Sequence, residues 1–347
     1  MAELGTGEFF RRVIIVAAVV AFAVAVWELT DVLLLAFGAI LVALMLQLIA
    51  EPIERWTPLK HNFALLVSGL IVLAIAAGTI WLFGMQIGAQ MSDVIHRATE
   101  AVSSLRSDLG KSGLGRTVMS QLGKTQVSLT GWAEKILTVS IETIVALILL
   151  VISAAYLTSQ PRLYRAGLVQ LFPPSLHAEV GGTLDNIGKA LRLWLLGQFI
   201  QMAIIGCLTL LAVWLIGLPG AMALGVIAGI TEFIPYVGPV LAAIPAVLVA
   251  FTLGPATALW TVVAYLLIHQ IEGNLVAPLI QRTMVSIPPA LLLFVIAAAG
   301  ALFGPLGILF AAPLTVVAFV SVKRLYVRNT LQQETDIPGE GPEDIDA

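Results

Sequence analysis

Charge is what this chain has least of. Lys, Arg, Asp and Glu together make up 11% of its 347 residues, against about 25% in an ordinary soluble domain. Hydrophobic residues account for 59%, more than so few polar groups can shield from water. The composition excludes a soluble domain and predicts an all-α polytopic membrane protein, with the lipid bilayer as its first partner. The single cysteine, Cys207, rules out an internal disulfide and reads as a small hydrophobe within an apolar helix. The four histidines, His61, His96, His177 and His269, are too scattered to indicate a metal cluster. No HExxH, CxxC or GxSxG pattern occurs, and Gly188-Lys189 and Gly123-Lys124-Thr125 lack the preceding glycine of a phosphate loop. No basic cluster interleaved with aromatics offers itself to nucleic acid. The expectation is therefore not an enzyme, with no catalytic residues, no metal and no cofactor.

What is present is a series of apolar runs. Residues 9–27, 32–50, 63–84, 138–157, 198–216 and 256–271 each approach the length a bilayer demands. The first run follows Arg11-Arg12 and imitates a signal peptide, but a second run succeeds it at once, so it reads as an uncleaved first span. Arg11-Arg12, Arg55 with Lys60, Arg162 with Arg165, and Lys323-Arg324 with Arg328 fall on one side, whereas turns 28–31, 217–220 and 254–255 carry no Lys or Arg. The positive-inside rule then puts both termini in the cytoplasm.

Five regions follow. Residues 1–84 hold three transmembrane helices, and 85–137 form an extracytoplasmic helical insert. In that insert Met91, Ile95, Ala98, Val102, Leu105 and Leu109 make a helical stripe for packing within the protomer or against another subunit. Residues 138–196 hold the fourth span and cytoplasmic amphipathic helices, whose stripe is Val180, Leu184, Ile187, Leu191 and Trp194, before the chain re-enters at Gly197. Residues 197–328 form a transport half with two broken helical elements. Residues 329–347 are an acidic tail expected to be disordered.

The broken elements carry the chemistry. Glu232-Phe233-Ile234-Pro235-Tyr236-Val237-Gly238-Pro239 interrupts the zone 219–253. Proline removes a backbone donor, and freed polar groups in lipid cost several kcal/mol each, so such a break belongs where protein or a wet cavity receives it. Sliding the chain against itself aligns 218–243 with 287–312, pairing Pro219 with Pro288, Leu224 with Leu293, Gly238 with Gly307 and Ala242 with Ala311. The second zone, 287–322, breaks at Gly304-Pro305-Leu306-Gly307. Two re-entrant helical hairpins, entering from opposite sides, fit this pattern and resemble secondary-transporter sites. Four short full spans fit the loop charges equally well.

An ionisable group inside a membrane marks a pathway by default. Glu232, at the first break, is the leading candidate to exchange a proton or bind a cation; its bland alternative is capping a helix end at interfacial water. Glu272 and Asn274, in a polar cluster with His269 and Gln270, read as a gate or an interfacial turn. Gln198 and Gln201 lie one helical turn apart, placed to bond substrate or a neighbouring helix. Pro235, Gly238, Pro239, Gly304, Pro305 and Gly307 are the expected gate and hinge positions.

These residues resemble the autoinducer-2 exporter (AI-2E) family of bacterial membrane proteins, most strongly over 197–320. The likeness rests on Gly197-Gln198, Gly206, Gly217, Gly225, the Ile234–Pro239 block, Pro245, Glu272-Gly273-Asn274, Pro278, Pro288, Gly304, Gly307 and Pro313, with Pro52 after the second span. The resemblance implies about eight membrane-embedded segments, a bacterial inner-membrane location and a homo-oligomer, pentameric in the family. It also implies ion-coupled export of a small polar molecule such as autoinducer-2, while other members look like sodium or lithium/proton antiporters. Many members have His-Pro where this chain has Ile287-Pro288, so coupling here falls to Glu232 or another group. A non-transporting membrane scaffold is the alternative of another class.

Overall fold

A computed structural model describes residues 6–75, 77–78, 141–281 and 287–340. The expected insert 85–137 and the end of the third span lie outside the described residues. Among those described, all regular structure is helical. In chain order the helices are α1 (Thr6–Glu28), α2 (Thr30–Trp56), α3 (His61–Ile75), α4 (Ile141–Ser159), α5 (Pro161–Gln170), α6 (His177–Ile216), α7 (Ala221–Thr231), α8 (Val237–Leu253), α9 (Pro255–Ile271), α10 (Ala277–Gln281) and α11 (Pro289–Ser321).

Among the described residues, four helical stretches are long and apolar enough to cross a membrane: Thr30–Trp56, Pro174–Ile216, Pro255–Ile280 and Pro289–Arg328. Large apolar side chains stand exposed along the outside of the bundle, including Ile14 on α1, Leu70 on α3, Trp214 on α6, Trp260 on α9 and Phe294 on α11. Such continuous apolar cover is the surface of a protein solvated by lipid.

Local chemistry sets the breaks. α6 runs without interruption through Gly197, where the amphipathic stretch and the following span were expected to meet. A glycine within a helix costs about 1 kcal/mol but keeps its backbone donor, so it need not end the ladder as proline does. α6 stops at Gly217, which takes the left-handed conformation (φ 86°) and closes the last turn onto Trp214 and Val213 carbonyls.

Between α7 and α8 the chain reverses. Tyr236 carries a positive φ of 65°, uncommon for a residue with a side chain, and Gly238 N donates to Ile234 O across the turn at 2.8 Å. A Cβ on Gly238 would lie 2.1 Å from Thr231 O, so only glycine allows the two limbs to meet. Ala228 and Ala242 then pack together across the pair.

α11 behaves in the same way, although its length suggests a single crossing. Gly304 leaves helical conformation altogether (φ 63°, ψ −148°). A Cβ on Gly307 would meet Ala299 O at 2.1 Å, and one on Gly300 would meet Ile308 Cγ1 at 2.9 Å. In a straight helix residues eight apart are about 12 Å apart, so α11 is two limbs folded on one another at Gly304-Pro305. The first limb, 289–303, spans about 22 Å, short of the roughly 30 Å of bilayer hydrocarbon, and the second, 305–321, spans about 25 Å before it runs on into a π-helical segment, Val322–Arg328.

The charges gather at one end. Arg192 of α6 pairs with Glu51 of α2, and Arg165 of α5 binds Asp185 of α6 through two 2.6 Å bonds. The hydrogen bonds and the electrostatic attraction of Asp185 hold the Arg165 guanidinium above its ordinary pKa. The tail expected to be disordered returns to this end as far as residue 340. Ile337 is buried with Leu191, Trp194 and Val320, and Glu340 accepts from Asn186, Arg324 and Arg328. An acidic sequence orders here because three cationic or amide donors await its glutamate and an apolar socket awaits its isoleucine. Residues 341–347 lie outside the described part.

Candidate functional site

Glycines decide where the polar residues meet. α7 lies against α6 with almost no side chain between them: a Cβ on Gly225 would stand 2.9 Å from Gly206 O, and one on Gly229 would stand 2.9 Å from Met202 O. This close seam brings the C-terminal end of α7, where Glu232 sits, beside Gln198 and Gln201 of α6.

Glu232 is wholly buried, and Glu272 is 7% exposed. The side-chain amide of Gln201 joins them, donating to Glu232 Oε1 at 2.9 Å and to Glu272 Oε1 at 3.1 Å. Gln198 Nε2 donates to the backbone oxygen of Glu232 at 2.7 Å, satisfying a carbonyl at the disrupted helix end. His269 Nδ1 lies 3.1 Å from Glu272 Oε2. Glu232 Oε2 has no partner.

Glu272 reaches this position through a π-helical turn, Glu272–Val276, that interrupts α9 and α10. The wider turn closes by Ala277 N donating to Glu272 O. Single π-turns of this kind recur at functional sites because they re-aim side chains without ending the helix.

A cavity of about 370 Å³ opens beside these groups. Gln198, Gln201, Gln270 and Asn274 supply amides to its wall, Trp194 and Tyr236 supply rings, and Glu272 and His269 supply the titratable groups. Among the described residues, no Lys or Arg lines it. A second, much smaller chamber of about 10 Å³ is lined by Glu232, Thr209, Pro239 and Tyr265 among others. His269 and Glu272 line both spaces.

Of the expected path residues, Glu232, Gln198, Gln201 and Glu272 are linked by direct bonds, and Asn274 faces the same large cavity. Among the expected hinges, Pro235 lines the large cavity and Pro239 the small chamber. Gly238 sits inside the α7–α8 turn, and Gly304, Pro305 and Gly307 form the reversal of α11, without lining either space. Sequence reasoning passed over Trp194, Tyr236, Tyr265 and Thr209 as sites. Aromatic and hydroxyl residues in an apolar helix carry no local mark that separates a cavity wall from ordinary core.

A lipid-solvated helical bundle with paired folded-back helices and a buried polar site is a membrane transporter by class. The sequence matches the model of the AI-2E family transporters over residues 15–326, and the chain belongs to that family. It is 26% identical over 312 residues to YueF of Bacillus subtilis, provisionally named a transport protein, covering 83% of this chain and 85% of that one. A provisionally named transport protein of Mycobacterium tuberculosis is 28% identical over 329 residues, covering 89% and 87%. The AI-2 transport protein TqsA of Escherichia coli is 30% identical over 105 residues, 30% of each chain.

Proposed function

We propose that this protein is an ion-coupled secondary transporter of the bacterial inner membrane that exports a small polar, autoinducer-2-like solute by alternating access. The observation that carries this reading is the Glu232–Gln201–Glu272 bridge at the wall of the 370 Å³ cavity. Two carboxyl groups deep in an apolar bundle, with one neutral amide between them, are costly unless a proton or cation visits them. The amides and rings around the cavity suit an uncharged polar molecule.

In this reading the α7–α8 pair and the two limbs of α11 are re-entrant hairpins from opposite faces, within about eight membrane-embedded segments. The short limbs and the tight reversals at Gly238 and Gly304 support it. Both termini are cytoplasmic, the insert 85–137 is extracytoplasmic, and the protein assembles as a homo-oligomer. Rocking of the transport half against α1–α4 alternates access to the cavity.

A second reading, a sodium or lithium/proton antiporter, draws on the same pair of acids, which needs no organic substrate. Proteoliposomes with an internal pH dye, given sodium, lithium and potassium gradients in turn and then labelled autoinducer-2, separate the two. Cation-driven proton movement without organic flux favours the antiporter. Labelled efflux favours the exporter, and silence in both assays overturns the transport reading.

A further inference from the structure

We propose that the small chamber beside Glu232 binds one dehydrated monovalent cation, held by Glu232 Oε2, Tyr265 Oη and Thr209 Oγ1. The inference rests on the transport reading and gives the coupling ion its seat. Among the described residues, three buried side-chain polar atoms have no hydrogen-bond partner, and they are these three. All three residues line the same chamber. Glu232 is 0% and Thr209 1% exposed, so water outside the protein does not serve them. A buried polar atom left alone costs about 1–3 kcal/mol. Three such atoms on residues lining one space favour an occupant there.

Size and chemistry define that occupant. The chamber has room for about 10 Å³, close to one water-sized sphere. Its polar contributions are a carboxylate, a phenol and a hydroxyl, all hard oxygen ligands of the kind alkali and alkaline-earth ions take. Magnesium retains several of its waters, and a space for one sphere does not hold them.

Charge separates a cation from a water molecule. The elements around the chamber are α6, which gives Thr209 and Gln201; the α7–α8 turn, which gives Glu232 and Pro239; α9, which gives Tyr265 and His269; and the π-turn with Glu272. No Lys or Arg lies among the lining residues, and the one basic side chain, His269, is directed at Glu272. Glu232 therefore has a neutral amide on one oxygen and nothing on the other. When Glu232 is a carboxylate, no basic side chain among the described lining residues balances it and a sodium or lithium ion supplies that charge; when it is protonated, a water molecule suffices.

Equilibrium binding of radioactive sodium to the purified full-length protein in detergent tests this directly. The expected result is saturable binding, displaced by lithium and not by choline. Tyr265→Phe and Thr209→Val each remove one oxygen with little change in volume and weaken binding about tenfold, the scale of a disturbed metal ligand environment. Glu232→Gln abolishes it. No saturable binding of sodium or lithium to the wild-type protein overturns the proposal and leaves the chamber to water, whatever the variants do. Binding unchanged in both Tyr265→Phe and Thr209→Val also overturns it, because the ion then sits elsewhere. Binding is read without flux, so the two readings fail separately: transport without binding removes the chamber site, and binding without transport removes the transport reading.

Discussion

Glu232 and Glu272 lie on different helices and accept hydrogen bonds from the same nitrogen, Nε2 of Gln201. Neither acid meets a lysine or arginine among the described residues lining the site. The amide thus links the break in α7–α8 to the π-turn after α9.

Gln201→Leu removes that link and leaves two buried acceptors without their donor. The expected loss is about 1–3 kcal/mol of stability, with transport abolished. Thermal unfolding followed by tryptophan fluorescence in detergent, together with flux in proteoliposomes, checks both parts. Gln201→Glu, which adds a third acid, is expected to be worse than Gln201→Leu in both assays.

Glu232→Gln keeps the shape of the side chain and its bond to Gln201 through a flipped amide. The protein is expected to elute as a single species on size exclusion while pH-dependent transport is lost. Transport with an unaltered pH profile would remove Glu232 from the mechanism.

The turn glycines give a steric prediction with a built-in control. A methyl at Gly238 or Gly307 would sit 2.1 Å from a backbone oxygen, which backbone must move to relieve. Gly238→Ala and Gly307→Ala are each expected to cost about 2–4 kcal/mol, in the range of severe core overpacking. A methyl at Gly69 on α3 meets nothing within 4 Å. Gly69→Ala is therefore neutral or stabilising by up to about 1 kcal/mol through helix propensity. Melting temperatures of the three variants decide the point.

At the charged end, two ion-pair sites should differ in worth. Arg165 and Asp185 are about half exposed, so Arg165→Ala is expected to cost less than about 1 kcal/mol. Glu340 is 5% exposed in its pairs with Arg324 and Arg328. Glu340→Ala strips the charge partner from two arginines and loosens the tail. Limited proteolysis should then cleave within 329–340 faster than in the wild-type protein, and Ile337→Asp, which spoils the apolar socket, should act in the same direction. An unchanged cleavage rate in both variants would detach the tail from the fold.

The sequence by itself determined the solvent of this protein, its helical class and the location of its breaks. Each of these is local. Apolar composition decides lipid over water, and Pro235 or Gly304-Pro305 disrupts a helix whatever surrounds it. Glu232 stood out alone because an acid at such a break is costly, and the family motifs lie in the same segments. Gly197 gave no local sign of whether the helix continues, because a glycine keeps its backbone donor and α6 runs through it unbroken. The tail misled, since its acids repel one another only until Arg324 and Arg328 are placed beside Glu340.

Tertiary structure alone decided that Glu232 and Glu272 share Gln201, and that Glu232, Thr209 and Tyr265 line one small chamber. Those meetings depend on how closely α7 approaches α6 along Gly206, Gly225 and Gly229 and on the extra backbone width of the π-turn at Glu272. Helical periodicity assigns a residue to a face of its own helix. Which distant side chain that face will meet is set by the packing distance and rotation of two helices, and no local pattern in the chain encodes either.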